Sequence, residues 1–165
     1  QKRKYAHLLI DEAEKEEMDM NLLLEEVIHN FKPILKQNHI TLDVSLEEEE
    51  YYMMGDYYRL NQVLINVLKN AVEAIEQDGI LEISTKVHQN QITIYIKDNG
   101  VGIPEENLEK MKEPFFTTKE HGTGLGVGLS IEIVKKHDGT MQYHSQVGKG
   151  TTVEMTFPLI PMSNT

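Results

Sequence analysis

Two glycine-rich stretches stand out in this sequence, DNGVGIP at residues 98–104 and GTGLGVGL at residues 122–129. Between them lies a polar span that holds PFFTTK at residues 114–119. Glycines at this density suit a backbone that passes very close to a ligand, or that bends where a side chain would clash. The pattern predicts a lid between two glycine hinges that closes over a phosphate-bearing ligand.

Two common glycine motifs do not match. The dinucleotide fingerprint G-x-G-x-x-G fails because Val127 or Leu129 stands where its last glycine is required. The P-loop fails because no glycine precedes Gly148-Lys149 at the required spacing. For either glycine cluster alone, a plain flexible loop is the stronger alternative. Both clusters together, with Asp98 opening the first, favour a nucleotide site.

Composition narrows the class of protein. The 165 residues are about one domain's worth, with an apolar fraction of 39% and a charged fraction of 26% that are ordinary for a globular protein. The absence of cysteine excludes disulfides and thiolate metal sites. The net charge of -11 argues against a nucleic-acid partner.

The sequence shows neither the pattern of a membrane-spanning helix nor that of a signal peptide. No apolar run approaches the roughly 18 residues of a membrane helix. We expect no signal peptide and no membrane contact by this segment. The sequence opens within a pattern at residues 1–4, so we expect a fragment of a longer protein.

The first third of the chain alternates predicted helices and strands. Helical spacing predicts a helix over residues 4–17, and a second helix with Asn21 as N-cap and a kink or break at Pro33. Strict alternation over residues 40–46 predicts a strand with one buried face. The acidic run 47–50 is interpreted as a solvated turn and not as a metal cluster. A short strand is expected over residues 51–54.

The most informative helix is predicted over residues 57–77, with Asp56 as N-cap and Gly79 ending it. Its polar residues recur at threes and fours and therefore share one face: Arg59, Gln62, Asn66, Asn70 and Glu73. Asparagine is a poor helix former and an odd choice for a merely solvated surface. On this helix alone, a hydrogen-bonding role inside the fold is the safer interpretation.

The remaining elements complete an α+β pattern. Strands are predicted over residues 80–88 and 91–97, joined by a turn at Gln89-Asn90, and over residues 140–146 and 151–158. One helix is predicted over residues 104–112, with Pro104 at its first position, and another over residues 127–137, ending at Gly139. Helices interleaved with antiparallel strands predict a two-layer α+β sandwich with the helices on one face of the sheet.

Four elements in this order resemble a known family. The asparagine-bearing helix at 56–71, the Asp-x-Gly-x-Gly turn, the Phe-Phe lid and the glycine run resemble the N, G1, F and G2 boxes of the GHKL (Bergerat) ATP-binding fold, in its sensor histidine kinase branch. The tail at 148–151 is similar to the family's closing Gly-x-Gly-Thr turn. The resemblance covers roughly residues 22–158 and implies a mixed sheet covered on one face by helices. We expect the end of a helical dimerisation segment or a linker at 1–20, the catalytic domain at 21–160 and a tail at 161–165.

The resemblance implies a role for each box. Asp98 accepts a hydrogen bond from the exocyclic amine of adenine, and Gly100 and Gly102 let the backbone approach the base. Ile103 is a further expected ATP-binding residue. Asn70 offers its amide oxygen to Mg²⁺, a hard cation that prefers oxygen ligands, and Asn66 faces the phosphates. Asn66, Asn70 and Lys119 are the expected catalytic residues, with Lys119 neutralising the terminal phosphate. The other expected ATP-binding residues are Gly122, Gly124, Leu125, Gly126, Val127, Gly128, Leu129 and Thr151. We interpret Phe115 and Phe116 as lid-packing hydrophobic residues.

The resemblance also indicates the reaction. GHKL members that hydrolyse ATP place a glutamate one turn before the metal asparagine, where this chain has Asn66, and this difference favours phosphoryl transfer over hydrolysis. Glu73 departs from the basic residue of many histidine kinases, and the NAVEA stretch at 70–74 is similar to the sporulation-kinase and nitrogen-regulation groups. The expected activity is that of a protein histidine kinase that uses ATP and Mg²⁺ and leaves ADP.

The phosphate acceptor is missing from this chain. The family's phosphorylated histidine is followed by an acidic residue and a proline, and no histidine of this chain has that context: His7, His29, His39, His88, His121, His137 and His144. The expected partners are therefore a histidine-bearing dimerisation domain of a homodimeric parent, a response regulator and a protein inhibitor of the kinase. The expected compartment is the cytoplasm, with the parent protein anchored in a membrane or not. Two alternatives stay open, a GHKL serine kinase of the anti-sigma-factor type and a non-catalytic adenine-nucleotide-binding module.

Overall fold

The computed structural model describes residues 14–113 and 126–161. Strands and helices alternate along these residues. In chain order they are β1 (Glu16–Asp19), α1 (Met20–Gln37), β2 (Thr41–Ser45), β3 (Tyr52–Gly55), α2 (Tyr57–Ala74), β4 (Ile80–His88), β5 (Gln91–Asp98), α3 (Glu105–Met111), α4 (Val127–Lys136), β6 (Thr140–Gln146) and β7 (Gly150–Pro158).

Five strands form one mixed sheet in the order β2-β4-β5-β7-β6. β2 runs parallel to β4, and the other neighbours are antiparallel. Every second residue of the inner strands is buried, because successive side chains point to opposite faces. This face packs against α1, α2 and α4 in one hydrophobic core that includes Leu64, Ile94, Ile133 and Met155. The predicted two-layer α+β sandwich is confirmed.

A second, two-stranded sheet corrects the start of the chain. β1 pairs antiparallel with β3, and Met18 and Met53, which face each other across it, are both buried. The prediction of helix through residue 17 is therefore wrong for residues 16 and 17, and residues 1–13 lie outside the described part. Pairing with β3 and burial of the two methionines outweigh the helical spacing that predicts a helix over residues 4–17. The domain boundary after residue 20 stays a prediction.

Helix α1 corrects two further expectations. Asp19, not Asn21, is the N-cap, because its side chain accepts the Asn21 N–H at 2.9 Å. The Asn21 amide instead donates to the carbonyl oxygens of Glu47 and Glu49, at 2.8 Å each, and holds the acidic turn in place. The helix continues through Pro33 to Gln37 without a break, because its buried face continues to Leu35.

Strand β2 is an edge strand, and its predicted buried face is incomplete. Val44 is 40% exposed, and Leu42 is only partly buried. Alternation in sequence reports which face a residue takes, but not whether another layer covers that face. The predicted solvated turn over residues 47–50 has no helix or strand, as expected.

Element boundaries elsewhere differ by a few residues. α2 ends at Ala74, so the prediction of helix to residue 77 is wrong, and Pro104 is the N-cap of α3 rather than its first residue. The Gln89-Asn90 turn of the β4–β5 hairpin is confirmed, with both residues at positive φ, 51° and 61°. Within the described ranges, no helix combines the length and apolarity that would let it cross a membrane.

Candidate nucleotide-binding site

Asp98 is a buried carboxylate at the end of β5. Alternation along the strand puts it on the core face, and it is 5% exposed. Burial raises the pKa of Asp98, and the backbone N–H groups of Gly100 and Thr151 act against this rise by donating hydrogen bonds to the carboxylate. The Gly100 N–H lies 2.8 Å from Asp98 Oδ1. A carboxylate held this way can accept a hydrogen bond from a ligand amine.

The turn after Asp98 is clamped between α2 and the β6–β7 hairpin. The Val101 N–H donates to the Ala74 carbonyl at 2.9 Å, and the Val101 carbonyl accepts from the Gly148 N–H at 2.9 Å. A Cβ at Gly100 would lie 2.4 Å from the Ala74 oxygen, and one at Gly102, where φ is +79°, would lie 2.2 Å from the Gln146 oxygen. Both glycines are therefore required by contacts within the protein. Their approach to a base stays a prediction.

The polar face of α2 meets the start of α4. Asn66 is 7% exposed, and its Nδ2 lies 3.4 Å from Oγ of Ser130, which is in the first turn of α4. Asn70 lies one turn further along α2 and is half-buried. The structure thus places Asn66 beside α4, and Asn70 on the same side of α2.

Helix α4 begins after a glycine N-cap. Gly126 is the N-cap and has no side chain with which to cap the helix. The first N–H groups of a helix have no partner within it, and together with the helix dipole they attract anions. Val127, Gly128 and Leu129 are buried, so the apolar side chains of this turn face the core.

Several predicted site residues lie outside the described part of the chain: Phe115, Phe116, Lys119, Gly122, Gly124 and Leu125. Their roles stay predictions. Ile103 lies beside the glycine turn, and Thr151 lies opposite Asp98 in the β5–β7 register, on the buried face of β7 with Val153. Alternation along the predicted strand 151–158 puts Thr151 on the same face as Val153, and the structure confirms this prediction.

Ser145 is a site residue that the sequence reasoning missed. It pairs with Thr151 across β6 and β7, and its Oγ lies 2.7 Å from Thr151 Oγ1. The same Oγ accepts the Ile103 N–H at 2.7 Å. The available signal was a hydroxyl on the inward-facing positions of β6, which also include Met141.

The types of side chain at this site limit which metal it could hold. Within residues 14–113 and 126–161, no three His, Cys, Asp or Glu side chains come together as a metal cluster. A metal at Asn70 would therefore take much of its coordination from ligand phosphates. This arrangement suits Mg²⁺, which is commonly held by one or two protein oxygens together with phosphate oxygens and water.

Comparisons with known proteins agree with this geometry. The family model described as histidine kinase-, DNA gyrase B-, and HSP90-like ATPase matches residues 55–161. Sporulation kinase A of Bacillus subtilis (strain 168) is 37% identical over 146 residues, which make up 88% of this chain and 24% of that protein. The chain thus spans about a quarter of that relative's length.

Two solved structures are similar in both fold and sequence. The catalytic domain of the histidine kinase ThkA, in a nucleotide-free form, has a TM-score of 0.78 at 31% identity, covering 88% of this chain and 95% of that one. A complex of ThkA with the response regulator protein TrrA gives a TM-score of 0.75 at 28% identity, covering 89% of this chain and 42% of that one.

Proposed function

The chain belongs to the family of histidine kinase-, DNA gyrase B- and HSP90-like ATPases, and we propose that it is the ATP-binding catalytic domain of a two-component sensor histidine kinase. One observation carries the proposal. Helix α2 contacts the Asp98 turn through Ala74 and the start of α4 through Asn66. Eight residues of helix separate these contacts by about 12 Å, which suits a nucleotide with its base at one end and its phosphates at the other.

The base is read at the Asp98 end. The carboxylate accepts a hydrogen bond from the exocyclic amine of adenine, whereas the carbonyl oxygen of guanine at that position would face a negative charge without a proton between them. The two backbone N–H groups that donate to Asp98 hold the carboxylate in place and favour its ionised form, whereas burial disfavours it.

The phosphates lie at the α4 end. The N–H groups of Val127 and Gly128 bind phosphate oxygens, and Asn66 positions the chain of phosphates beside them. Asn70 supplies an amide oxygen to Mg²⁺, which when bound neutralises part of the phosphate charge. Lys119 completes this neutralisation, which matters in a protein with a net charge of -11.

The proposed reaction is transfer of the terminal phosphate to a histidine. Phosphoryl transfer requires mainly positioning and electrostatic stabilisation, and a histidine acceptor is itself the nucleophile. Asn66 cannot act as a general base towards water, so transfer is favoured over hydrolysis. The acceptor histidine comes from a dimerisation domain outside this chain. The phosphate then passes to a response regulator, the class of partner found with ThkA. We place this domain in the cytoplasm.

Calorimetric titration with ATP, ADP and GTP, each with and without Mg²⁺, tests the binding site. We expect adenine-selective binding that Mg²⁺ strengthens. Replacing Asn70 with alanine should remove the strengthening by Mg²⁺ and leave binding in EDTA unchanged. Equal weakening with and without Mg²⁺ would show that Asn70 supports the fold and does not bind the metal.

Phosphotransfer tests the activity itself. The chain is mixed with labelled ATP and a separate histidine-bearing dimerisation domain from one of its kinase relatives. A phosphohistidine, which is stable to base and labile to acid, is the expected product. ATP binding without transfer to any supplied acceptor would favour the non-catalytic module, and a phosphoserine on a supplied anti-sigma-factor substrate would favour the serine kinase.

A further inference from the structure

Three hydrogen bonds meet at the Ser145 hydroxyl. It accepts the Ile103 N–H at 2.7 Å, it donates to the Gly150 carbonyl at 3.1 Å, and it lies 2.7 Å from the Thr151 hydroxyl. The hydroxyl is part-buried and joins the glycine turn after Asp98 to the β6–β7 hairpin. It is therefore well placed to control the geometry of the proposed base site.

The three bonds determine where each proton lies. A serine hydroxyl has one proton and two lone pairs. The Ile103 N–H occupies one lone pair, and the Gly150 carbonyl can only accept, so the single proton of Ser145 points to Gly150. The bond to Thr151 can then form only if Thr151 donates its own proton into the second lone pair of Ser145. With this arrangement all four groups are satisfied, as buried polar groups in folded proteins usually are.

The consequence concerns the side of Thr151 that faces away from Ser145. The Thr151 hydroxyl donates its only hydrogen bond to Ser145. Its remaining lone pairs can accept hydrogen bonds, but the hydroxyl has no second proton with which to donate another. Thr151 is 7% exposed and lies opposite Asp98, whose carboxylate is also an acceptor. The base site therefore presents two neighbouring acceptors, which match the donor amine of adenine and oppose the acceptor oxygen of guanine.

We propose that Ser145 is a specificity-determining residue of the nucleotide site, because it accepts the one hydrogen bond that the Thr151 hydroxyl can donate and so presents Thr151 to the base, or to a water on the base, as an acceptor only. This inference rests on the proposed function, since it names how that same site selects adenine. Ser145 acts through Thr151 and does not itself touch the nucleotide.

Replacing Ser145 with alanine tests the proposal. Thr151 then regains a free proton and can donate it to the guanine oxygen. Displacement of a fluorescent ATP analogue by ATP and by GTP gives both affinities in one assay. We expect the selectivity for ATP over GTP to fall about fivefold, the scale of one neutral hydrogen bond. Ser145→Thr keeps the hydroxyl and should restore the selectivity.

A matched control exists on the opposite face of the same sheet. Thr93 and Thr156 form a similar hydroxyl pair across β5 and β7, with 3.0 Å between the oxygens. Thr156→Ala removes a comparable hydrogen bond away from the site and should leave the selectivity unchanged. In a Thr151→Val background, Ser145→Ala should no longer change the selectivity, because valine has no hydroxyl that could donate to the guanine oxygen. Thr151→Val alone should lower ATP affinity more than GTP affinity. This second variant tests the inference even if the Ser145→Ala variant does not fold.

Two results would overturn the inference. If Ser145→Ala weakens ATP and GTP binding in parallel, Ser145 only supports the glycine turn through Ile103. If the selectivity changes equally in the Thr151→Val background, the effect does not pass through Thr151. A wild-type chain that binds ATP without preference over GTP would instead contradict the proposed function, so the two failures are distinguishable.

Discussion

Asp98 combines burial with a charge that the proposed function requires. Its pKa is raised because burial disfavours the ionised form. A carboxylate with a raised folded-state pKa contributes stability below its unfolded-state pKa, and this contribution is lost as the pH rises through the folded-state pKa. Ionisation of Asp98 therefore lowers the stability of the domain. The ionised side chain that the proposed function requires therefore reduces the stability of the folded domain.

Asp98→Asn should separate binding from stability. The amide removes the buried charge, so we expect the free domain to be at least as stable as the wild type in urea denaturation at pH 7. It also places a donor where an acceptor is required, so adenine selectivity should be lost. Asp43→Asn, on the exposed edge strand β2, is the control and should change neither quantity. Unchanged ATP affinity in Asp98→Asn would show that Asp98 does not read the base.

At the scale of single elements, the two glycine turns that meet near Asp98 have different requirements. Gly102 and Gly148 both have positive φ, +79° and +84°. A Cβ at Gly102 would lie 2.2 Å from the Gln146 oxygen, whereas nothing lies within 4 Å of a Cβ at Gly148. The backbone conformation is strained for alanine at both positions, and only Gly102 adds a steric clash.

The pair Gly102→Ala and Gly148→Ala separates these two effects. Gly148→Ala should lower the free energy of unfolding by about 1–2 kcal/mol, the cost of a left-handed conformation for alanine. Gly102→Ala should lower it further and also weaken ATP binding, because the turn must move away from β6. Denaturation in urea and nucleotide titration of both variants provide the measurement. Equal stability of the two variants would mean that the Gln146 backbone can shift away from the added Cβ without lowering the free energy of unfolding.

At the scale of the whole molecule, His137 joins elements that are far apart in sequence. It is the C-cap of α4 and is 2% exposed. Its Nε2 accepts the Asp56 N–H at 2.9 Å, and its Nδ1 lies 2.8 Å from the Ile133 carbonyl, so the proton is on Nδ1. Its ring packs edge-on against Phe157, with 6.3 Å between the ring centroids. The neutral imidazole thus connects α4, the start of α2 and β7.

This connection makes the stability of the domain depend on pH. Burial lowers the pKa of His137, more strongly than the Ile133 carbonyl and the nearby Asp56 raise it. As the pH falls below about 6.5, the unfolded chain takes up the proton before the folded chain does. The stabilisation by neutral His137 is therefore complete above that pH and is lost progressively below it.

His137→Gln tests this dependence, because glutamine can accept the Asp56 N–H but does not titrate. Urea denaturation at pH 7.5 and pH 5.5 should show a smaller loss of stability in the variant than in the wild type. At pH 7.5 the variant should be less stable by about 1–3 kcal/mol, since its amide cannot reproduce both bonds. The same pH dependence in both proteins would assign it to groups other than His137.

The fold class and the strands of the five-stranded sheet could be predicted from the sequence. The four boxes were identified by their resemblance to the GHKL family. The Gln89-Asn90 turn and the inward face of Thr151 could be predicted because each depends on alternation or on a turn that a few neighbouring residues define. Asp98 could be predicted for the same reason, since it opens the glycine turn that follows β5.

Contacts between residues far apart in the sequence could not be predicted from local patterns. β1 forms a strand because Met18 packs into the core opposite Met53, and no local pattern reports that pairing. Ser145 and His137 acquire their roles from partners 42 and 81 residues away. The physical reason is that local preferences are weak, whereas burying an apolar side chain or leaving a buried polar group unpaired changes the free energy by about 1–3 kcal/mol.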